Sequence, residues 1–384
     1  MSVEAQKSGD GQPLSLLIGS LQIGGIQTST LRLAEEFVRL GRKLSLIVVN
    51  AEGPMRAQLP ADCELVDLKA GHARQALPAL VAHFRNTRPP IVLSAQTHIN
   101  ALAIAARMLA HHPKRLIVSE RIAVQGALGA GASRMDRARP AVIRLLYRYA
   151  DAVVAVSEDA RRGLREQGGV RLPVHVIHNG VDVDRIRAQA QAEEAHPWMQ
   201  SRAHRLVLGI GRLAPQKHFA LLLRAFAALR GDEHRLIILG DGPERANLTV
   251  LARELGIDRS LDMPGAYLNP YPLLGRADVF VLPSRWEGFS NVVIEALACG
   301  TAIVATDCPG GPADVLEDGT YGRLVPVDDA PAMTEAIQQA LTSPPDSEAL
   351  VRHARNFSVQ RAAQQYLELV ESLHGHGQGM AEAA

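Results

Sequence analysis

Two glutamates stand close together in the C-terminal half of the chain. Glu287 and Glu295 have seven residues between them, and they follow the apolar run Val279–Leu282, which is predicted to be a buried strand. Glu287 is predicted to lie in the loop after that strand, and Glu295 about one turn into the next helix. Carboxylate oxygens accept hydrogen bonds from sugar and ribose hydroxyls. The pair is a candidate site for such a ligand, and two solvated glutamates on a surface helix are the alternative.

The start of the predicted helix lies between the two glutamates. Ser290 and Asn291 stand at that point, and either side chain can cap the helix. The first backbone N–H groups of a helix, together with the positive end of its dipole, form a site that binds anions. The segment therefore combines a candidate phosphate site with two carboxylates that can bind hydroxyls.

A basic loop lies upstream of this segment. Residues 209–217 read Gly-Ile-Gly-Arg-Leu-Ala-Pro-Gln-Lys, between a predicted strand and a predicted helix. Arg212 can bind a phosphate with two parallel hydrogen bonds, and Lys217 acts as a point charge. A departing nucleoside diphosphate gains negative charge, so fixed cations would stabilise the transition state more than the ground state. A solvated basic loop is the alternative.

Other polar residues follow predicted strands or form turns. His98 stands after the strand Ile91–Ala95, just before a helix, and Glu120 with Arg121 follows the next strand. A helix-entry histidine without a ligand is the alternative for His98, and for Glu120 and Arg121 a structural role weighs as much as a ligand contact. The glycine-rich turn Asp307–Pro312 can lie near a ligand or serve only as a tight turn.

The elements that position these residues alternate between short apolar runs and helical patterns. Strands are predicted at Leu14–Leu21, Lys43–Val49, Ile91–Ala95, Leu116–Ser119, Ala152–Val156, Val174–Ile177, Leu206–Ile210, Leu236–Leu239, Val279–Leu282, Ala302–Ala305 and Arg323–Val325. Helices are predicted at Thr28–Leu40, Arg74–Arg85, Pro140–Ala150, Phe219–Arg230, Glu244–Leu255 and Asn291–Ala298. Such alternation is typical of parallel sheets covered by helices on both faces.

The length of 384 residues exceeds what one hydrophobic core usually organises. We predict an N-terminal domain over residues 1–180, a polar linker over 181–203 and a C-terminal domain over 204–357. Residues 347–374 read as a helix, and the C-terminal helix over 358–384 can return to the first domain. Both domains are predicted to be doubly wound α/β folds, which bind ligands at the carboxyl ends of their strands.

Composition excludes several classes of protein. The net charge of +1 gives no case for nucleic-acid binding by the whole chain. The three cysteines form no CxxC pair, which argues against a disulfide framework or a zinc site and fits a reducing cytosol. The N-terminal residues are polar and no apolar run is long enough to cross a bilayer, so we expect a cytoplasmic protein without a signal peptide.

These segments together resemble the retaining glycosyltransferases of family 4, which have the GT-B fold of two Rossmann-like domains facing a deep interdomain cleft. Glu287 and Glu295 match the family's glutamate pair, and residues 209–217 match its GxGRLxxxK segment. Three further segments match its glycine-rich N-terminal loop, its interdomain NGVD segment and its GxGP turn: residues 21–25, 178–182 and 239–243. The resemblance covers nearly the whole chain and is strongest over residues 204–330.

The resemblance implies roles for particular residues. Arg212 and Lys217 would bind the donor diphosphate, Glu287 the hydroxyls of the transferred sugar, and Glu295 the nucleotide ribose. The implied donor-binding set is Gly24, Gly25, Gly211, Arg212, Lys217, Glu287, Gly288, Phe289, Ser290, Asn291, Val292 and Glu295. The implied catalytic set is His98, Arg212, Lys217 and Glu287. His98 would bond a sugar hydroxyl or stabilise the anomeric carbon through its carbonyl, and Glu120 and Arg121 are the candidate acceptor contacts.

The implied reaction transfers a sugar, with retention, from a nucleotide diphosphate sugar to a saccharide or lipid-linked acceptor in envelope polysaccharide or glycoconjugate assembly. A UDP-sugar is favoured over a GDP-sugar. No cofactor or catalytic metal is implied; Asp182 and Asp184 have the spacing of a metal-binding DxD motif, but they lie inside the NGVD segment. The alternatives are a nucleotide-sugar epimerase of the same fold, a sugar phosphorylase of the same fold, and a non-catalytic nucleotide-sugar-binding protein.

A basic, partly apolar segment suggests contact with a membrane. The arginines stand among apolar residues, in the order Arg134, Arg137, Arg139, Val142, Ile143, Arg144, Leu145, Leu146 and Arg148. A helix of this kind can lie on an anionic leaflet, which would place the protein at the inner face of the plasma membrane. A helix packed on its sheet with solvated arginines is the alternative.

Overall fold

The computed structural model of the chain describes residues 12–121, 134–192, 196–199, 204–229 and 233–378. The chain divides into two compact units. The first unit comprises Met1–Gly180 together with Val359–Ala384, and the second unit comprises Val181–Ser358.

The strands and helices alternate along the described residues. The strands are β1 Leu14–Ser20, β2 Leu44–Asn50, β3 Cys63–Asp67, β4 Ile91–Ala95, β5 Arg115–Glu120, β6 Ala152–Ala155, β7 Val174–Val176, β8 Arg205–Ile210, β9 His234–Leu239, β10 Leu261–Gly265, β11 Val279–Leu282, β12 Ala302–Thr306 and β13 Arg323–Val325. The helices are α1 Gly25–Arg39, α2 Ala73–Thr87, α3 Thr97–Ala110, α4 Arg134–Leu146, α5 Glu158–Glu166, α6 Val183–Ala190, α7 Phe219–Ala227, α8 Arg245–Glu254, α9 Tyr271–Arg276, α10 Asn291–Cys299, α11 Pro312–Val315, α12 Ala330–Thr342, α13 Ser347–Ala354 and α14 Val359–Gln378.

Each unit contains one parallel sheet among the described residues. The order in the first unit is β3-β2-β1-β4-β5-β6-β7, and in the second unit it is β10-β9-β8-β11-β12-β13. All neighbouring strands pair in parallel. Both sheets reverse their winding at the central pair, β1 with β4 and β8 with β11, and the two units are therefore Rossmann-like domains of the predicted α/β class.

Hydrophobic cores cover both faces of the first sheet. Leu16 and Ile18 of β1 belong to a core that includes Phe37 of α1, whereas Leu17 belongs to a second core with Phe84 of α2. This alternation follows from the period of two along a strand. The strands are apolar on both faces because helices cover each face of a parallel sheet.

Helix α14 belongs to the first unit although it follows the second unit in the chain. It contacts α1, and its apolar residues join the same core as Phe37. The predicted single helix over residues 347–374 is in fact interrupted: α13 ends at Ala354, a 3₁₀ turn covers Arg355–Phe357, and α14 begins at Val359.

Two strands were not predicted from the sequence, and both lie at sheet edges. β3 pairs only with β2 and carries the exposed Glu64, and β10 pairs only with β9 and ends in Pro264-Gly265. Proline is tolerated at an edge because its missing N–H then faces away from the ladder. A charged residue, a proline or a glycine in such a strand weakens the apolar pattern from which strands are predicted.

The segment 181–203, predicted as a linker, begins with a helix of the second unit. Asp182 caps α6 by accepting a hydrogen bond from the Arg185 N–H at 3.0 Å. Val183 and Ile186 are buried, and α6 contacts α9 and α10. The polar composition is that of a surface helix with one apolar side, so this part of the segment is not a linker. In the described part of the chain, no helix combines the length and the apolar character needed to cross a membrane.

Candidate functional site

The second unit brings two predicted segments to neighbouring strand ends. The loop that carries Arg212 and Lys217 follows β8, and the loop that carries Glu287 follows β11. β8 and β11 pair directly and are the strands at which the winding of this sheet reverses. Ligands of open α/β sheets bind at the carboxyl ends of the strands at such a point. The fold therefore places the basic loop and the first glutamate at the position where this architecture binds ligands.

Lys217 and Glu287 form an ion pair. The Lys217 Nζ lies 2.6 Å from the Glu287 Oε1, and the side chains are 18% and 6% exposed. The Ser284 Oγ donates a second hydrogen bond to the same oxygen at 2.5 Å. The carboxylate is thus fixed through one oxygen by two donors, one of them charged.

The two loops are also joined through Gln216. The Arg285 N–H donates to the Gln216 carbonyl at 2.9 Å, and the Gln216 Nε2 donates to the Trp286 carbonyl at 2.8 Å. These bonds fix the spacing between the residues that precede Lys217 and Glu287 in their loops. The ion pair is therefore supported by the backbone of both loops.

Arg212 has a different environment from Lys217. Its side chain is exposed and makes no hydrogen bond or ion pair with any residue that the structure describes. Its loop packs against the Leu239–Pro243 turn, where the Leu213 N–H donates to the Asp241 carbonyl at 2.9 Å. Gly240 has a φ of +145°, and a Cβ there would lie 1.9 Å from the Gly211 carbonyl oxygen. Only glycine lets this turn approach the basic loop so closely.

Helix α10 begins at the predicted position, but its predicted side-chain cap is absent. Ser290 occupies the N-cap position without a side-chain cap bond. The backbone closes the turn instead, because the Val293 N–H donates to the Ser290 carbonyl at 2.9 Å. The Ser290 Oγ is buried and has no partner among the described residues. A buried hydroxyl and a helix N-terminus therefore lie together between the two glutamates, which is a suitable environment for a phosphate.

Glu295 lies about one turn into α10, as predicted, and is nearly buried. Its Oε1 accepts a hydrogen bond from the Tyr271 Oη at 3.4 Å. Tyr271 begins α9 and stands in no recognisable sequence motif. Its spacing from the glutamates carries no signal, because α9 reaches α10 only through tertiary packing.

The other predicted donor-binding residues of this segment differ in burial. Phe289 is 8% exposed and packs against Phe357, with ring centroids 6.4 Å apart. Its side chain is therefore part of the local core. Gly288, Asn291 and Val292 are partly exposed around the start of α10. They remain predicted donor contacts.

The turn Asp307–Pro312 packs against the backbone of Glu287. The Glu287 N–H donates to the Pro309 carbonyl at 2.7 Å. Gly310 has a φ of +109°, and a Cβ there would lie 1.9 Å from the Glu287 carbonyl oxygen. The glycine is required by this close approach. Burial, followed by the charge of Glu287, raises the pKa of the neighbouring Cys308 to about 12, so this thiol is no nucleophile at neutral pH.

In the first unit, the strand ends at the corresponding reversal point carry the predicted glycines and His98. Gly24 precedes α1, which begins at Gly25 rather than at Thr28, and His98 is the second residue of α3 rather than the residue before it. Gly24 has an extended backbone, so its conformation does not require glycine. Partial burial of the imidazole lowers the pKa of His98, and the charge of Arg139 lowers it further.

Glu120 and Arg121 are buried. The Glu120 Oε2 accepts hydrogen bonds from the Thr97 and Tyr147 hydroxyls, both at 2.8 Å. Arg121 is 8% exposed and donates to Asn179 and, at 3.3 Å, to Ser29. Glu120 is fully buried in this conformation, and acceptor contact by Glu120 and Arg121 stays a prediction.

The two aspartates with DxD spacing take structural roles in the second unit. Asp182 caps α6, and Asp184 accepts a hydrogen bond from Arg355 at 2.8 Å. That hydrogen bond lowers the pKa of Asp184. A helix cap and a surface ion pair are common structural roles for aspartate.

The arrangement in the second unit combines three functions at one sheet reversal. Arg212 and Lys217 supply positive charge, the start of α10 supplies backbone donors, and Glu287 and Glu295 supply hydroxyl acceptors. A nucleoside diphosphate joined to a sugar has matching groups: two phosphates and two sets of ring hydroxyls. The site therefore fits a nucleotide diphosphate sugar.

Comparison with known proteins agrees with this geometry. Residues 193–357 match the model described as Glycosyl transferases group 1, and residues 23–185 match Glycosyltransferase Family 4. An N-acetylgalactosamine-N,N'-diacetylbacillosaminyl-diphospho-undecaprenol 4-alpha-N-acetylgalactosaminyltransferase of Campylobacter jejuni is 32% identical over 52% of this chain and 53% of its own length. The chain thus spans about half the length of that relative.

A second relative covers more of the chain. A GDP-mannose-dependent alpha-mannosyltransferase of Mycobacterium tuberculosis is 31% identical over 80% of this chain and 81% of its own length. The crystal structure of Anabaena HepE in complex with UDP has a TM-score of 0.77 at 18% identity, over 94% of this chain and 100% of that one, and shows the likeness of fold. With both family models matched in order along the chain, the protein belongs to the family 4 glycosyltransferases.

Proposed function

We propose that the protein transfers a sugar from a nucleotide diphosphate sugar to a saccharide or lipid-linked acceptor, with retention at the anomeric carbon. The observation that carries this proposal is the Lys217–Glu287 pair at 2.6 Å, beside the start of α10. The Lys217 ammonium suits a diphosphate and the Glu287 carboxylate suits sugar hydroxyls. The bond that breaks in the reaction joins the sugar to the diphosphate.

Charge explains how the second unit would assist bond cleavage. As the bond between the anomeric carbon and the phosphate oxygen breaks, the departing diphosphate gains negative charge. Lys217, Arg212 and the N–H groups at the start of α10 are held at the strand ends and need little rearrangement to stabilise that charge. Lys217 has three N–H donors and, among the described residues, uses one for Glu287, which leaves two for phosphate oxygens.

Retention is proposed through displacement on the front face of the sugar. The acceptor oxygen forms its bond to the anomeric carbon on the face from which the diphosphate leaves, and a phosphate oxygen takes the proton of the acceptor hydroxyl. This route needs no enzymatic nucleophile. Glu287 would hold the sugar hydroxyls, Glu295 the ribose, and His98 would assist at the sugar from the first unit.

The donor and the acceptor are proposed as classes. We favour a UDP-sugar because the fold relative HepE binds UDP, and a GDP-sugar is the competing donor because the mycobacterial relative is named for GDP-mannose. A lipid-linked acceptor is supported by the diphospho-undecaprenol acceptor in the name of the Campylobacter relative. These features suit assembly of envelope polysaccharides or glycoconjugates.

A panel of UDP-sugars and GDP-sugars tests the proposal. We expect one donor to raise the melting temperature and to release its nucleoside diphosphate faster when a lipid-linked saccharide is present. NMR of the product then reports the anomeric configuration. Conversion of the donor without any acceptor would instead indicate an epimerase, and tight binding without turnover across the panel would indicate a non-catalytic protein.

We also propose that the catalytic site needs no divalent metal. Arg212, Lys217 and the start of α10 supply the positive charge that a metal would otherwise bring to the diphosphate. Turnover should survive dialysis against EDTA with at most a modest loss. A complete loss that Mg²⁺ or Mn²⁺ restores would overturn this assignment and return Asp182 and Asp184 to consideration.

A further inference from the structure

The side chain of Glu287 is held in an asymmetric way. Its Oε1 accepts from the Lys217 Nζ at 2.6 Å and from the Ser284 Oγ at 2.5 Å. Its Oε2 makes no hydrogen bond to any residue in the described part of the chain. One oxygen is therefore anchored twice, and the other remains available for a ligand.

Lys217 alone does not define the orientation of that carboxylate. A lysine ammonium is a point charge on a flexible chain, and it can follow a carboxylate that rotates. Ser284 differs because its side chain is short and fully buried in the loop directly after β11. A fixed hydroxyl at this place holds the Glu287 Oε1 beside Lys217 and so sets the orientation of the carboxylate.

The backbone of Ser284 is itself fixed. The Thr306 Oγ1 donates to the Ser284 carbonyl and also contacts the Leu282 carbonyl at 3.3 Å. Thr306 is the last residue of β12, next to β11 in the sheet, and is fully buried. The backbone of Ser284 is thus fixed by a short, buried side chain of the neighbouring strand β12.

We propose that Ser284 is a positioning residue that orients Glu287, so that the Glu287 Oε2 meets the hydroxyls of the transferred sugar. The inference rests on the proposed function, because it assumes that Glu287 contacts the sugar. Ser284 acts only through Glu287 and touches no reacting atom. The competing role for a buried serine is to support the fold without influence on the ligand.

Binding measurements separate the two roles. Calorimetry would measure the dissociation constants of the intact nucleotide sugar and of the free nucleoside diphosphate for the wild type and for Ser284→Ala. We expect Ser284→Ala to weaken binding of the nucleotide sugar about fivefold to tenfold and to leave the nucleoside diphosphate unchanged, since one oriented hydrogen bond to a charged group is at stake. The kcat should fall by about tenfold at saturating donor.

A double-mutant cycle identifies the route of the effect. In a Glu287→Gln background, Ser284→Ala should add little to the loss, because residues that act through one another are not additive. Equal weakening of both ligands, no change in either ligand, or full additivity with Glu287→Gln would each overturn the proposal.

Thr301→Val is the matched control. Thr301 is also buried in the second unit, and its Oγ1 donates to the Leu274 carbonyl at 2.6 Å. The variant should lower the melting temperature without changing the ratio of the two dissociation constants. If the wild type binds no nucleotide sugar at all, the proposed function fails; if it binds one and Ser284→Ala keeps the wild-type ratio, only the role of Ser284 fails.

Discussion

At the scale of single residues, the assignment of Lys217 to the diphosphate has a direct consequence. Lys217→Ala should lower kcat by more than about tenfold at saturating donor, because the charge that stabilises the departing diphosphate is lost. Lys217→Arg should recover part of the rate, since it keeps the charge but not the geometry. Steady-state kinetics with donor titration measures both variants.

The control for this variant is Lys43→Ala, an exposed lysine of the first unit. It should keep wild-type kinetics. Near wild-type turnover by Lys217→Ala with a folded protein would remove Lys217 from the diphosphate site.

Glu120 provides a prediction about pH. Burial raises the pKa of Glu120 above its ordinary value, so the folded chain keeps the proton to a higher pH than the unfolded chain does. The associated stability is fully present below the unfolded pKa and is lost as the pH rises through the raised pKa. Glu120→Gln removes this titration, and its melting temperature relative to the wild type should increase as the pH rises above the ordinary carboxyl range.

The exposed Glu64→Gln is the control, and its melting temperature relative to the wild type should vary little with pH. A flat difference for Glu120→Gln over the same range would show that Glu120 has an ordinary pKa.

The sequence predicted the charged residues of the site better than their supports. Glu287, Lys217 and Arg212 stand in recognisable patterns, and the structure places all three at the β8–β11 strand ends. Ser284 and Tyr271 carry no such pattern, because their partners depend on how a loop and α9 pack against the glutamates. Short-range sequence patterns contain no information about those tertiary contacts.

At the scale of elements, most strands were predicted within one or two residues, and two of the four strands at sheet edges were missed. β4, β11 and β13 have the predicted bounds. β3 and β10 were missed, since an edge strand is half covered and tolerates polar residues and proline. Part of the polar segment 181–203 proved to be the surface helix α6, whose buried side carries few residues.

Helix α4 and the turn after it carry a prediction about membranes. Ile143 is buried, whereas Leu145 and Tyr149 are 59% and 40% exposed beside the exposed Arg144 and Arg148. Apolar side chains flanked by arginines suit an anionic bilayer surface. The protein should therefore sediment with vesicles that contain phosphatidylserine and much less with phosphatidylcholine vesicles.

The double variant Arg144→Glu/Arg148→Glu should abolish this sedimentation. Arg253→Glu, an exposed arginine on α8 of the second unit, should not change it. Negligible binding of the wild type to both kinds of vesicle would leave α4 as a helix packed on its sheet with solvated arginines.

At the scale of the whole molecule, the two units share one sheet architecture but carry different side chains at the strand ends. Each sheet reverses its winding at its central pair, and each places its candidate residues after those strands. In the first unit these residues are glycines and His98, whereas in the second unit they are cations and carboxylates. We infer that the second unit supplies the charge for donor binding.

Helix α14 follows the second unit in the chain but completes the core of the first unit. Leu367 and Leu369 of α14 are buried in the same core as Phe37 of α1 and Leu46 of β2. Leu367→Ala should cost about 2–5 kcal/mol of stability, the usual range for a buried leucine. Hydrogen exchange should then show faster exchange in β1 and β2 of the first unit, while β8 and β11 of the second unit keep their protection.

The neighbouring Glu368→Ala is the matched control, because Glu368 is exposed on the same helix and its loss should change stability by less than about 0.5 kcal/mol. The position of α14 in the chain, after the second unit, and its position in the fold, in the core of the first unit, predict opposite patterns of hydrogen exchange. A helix that stabilised the unit preceding it in the chain would protect β8 and β11 instead. Faster exchange in the second unit, with β1 and β2 unchanged, would therefore contradict the assignment of α14 to the first core.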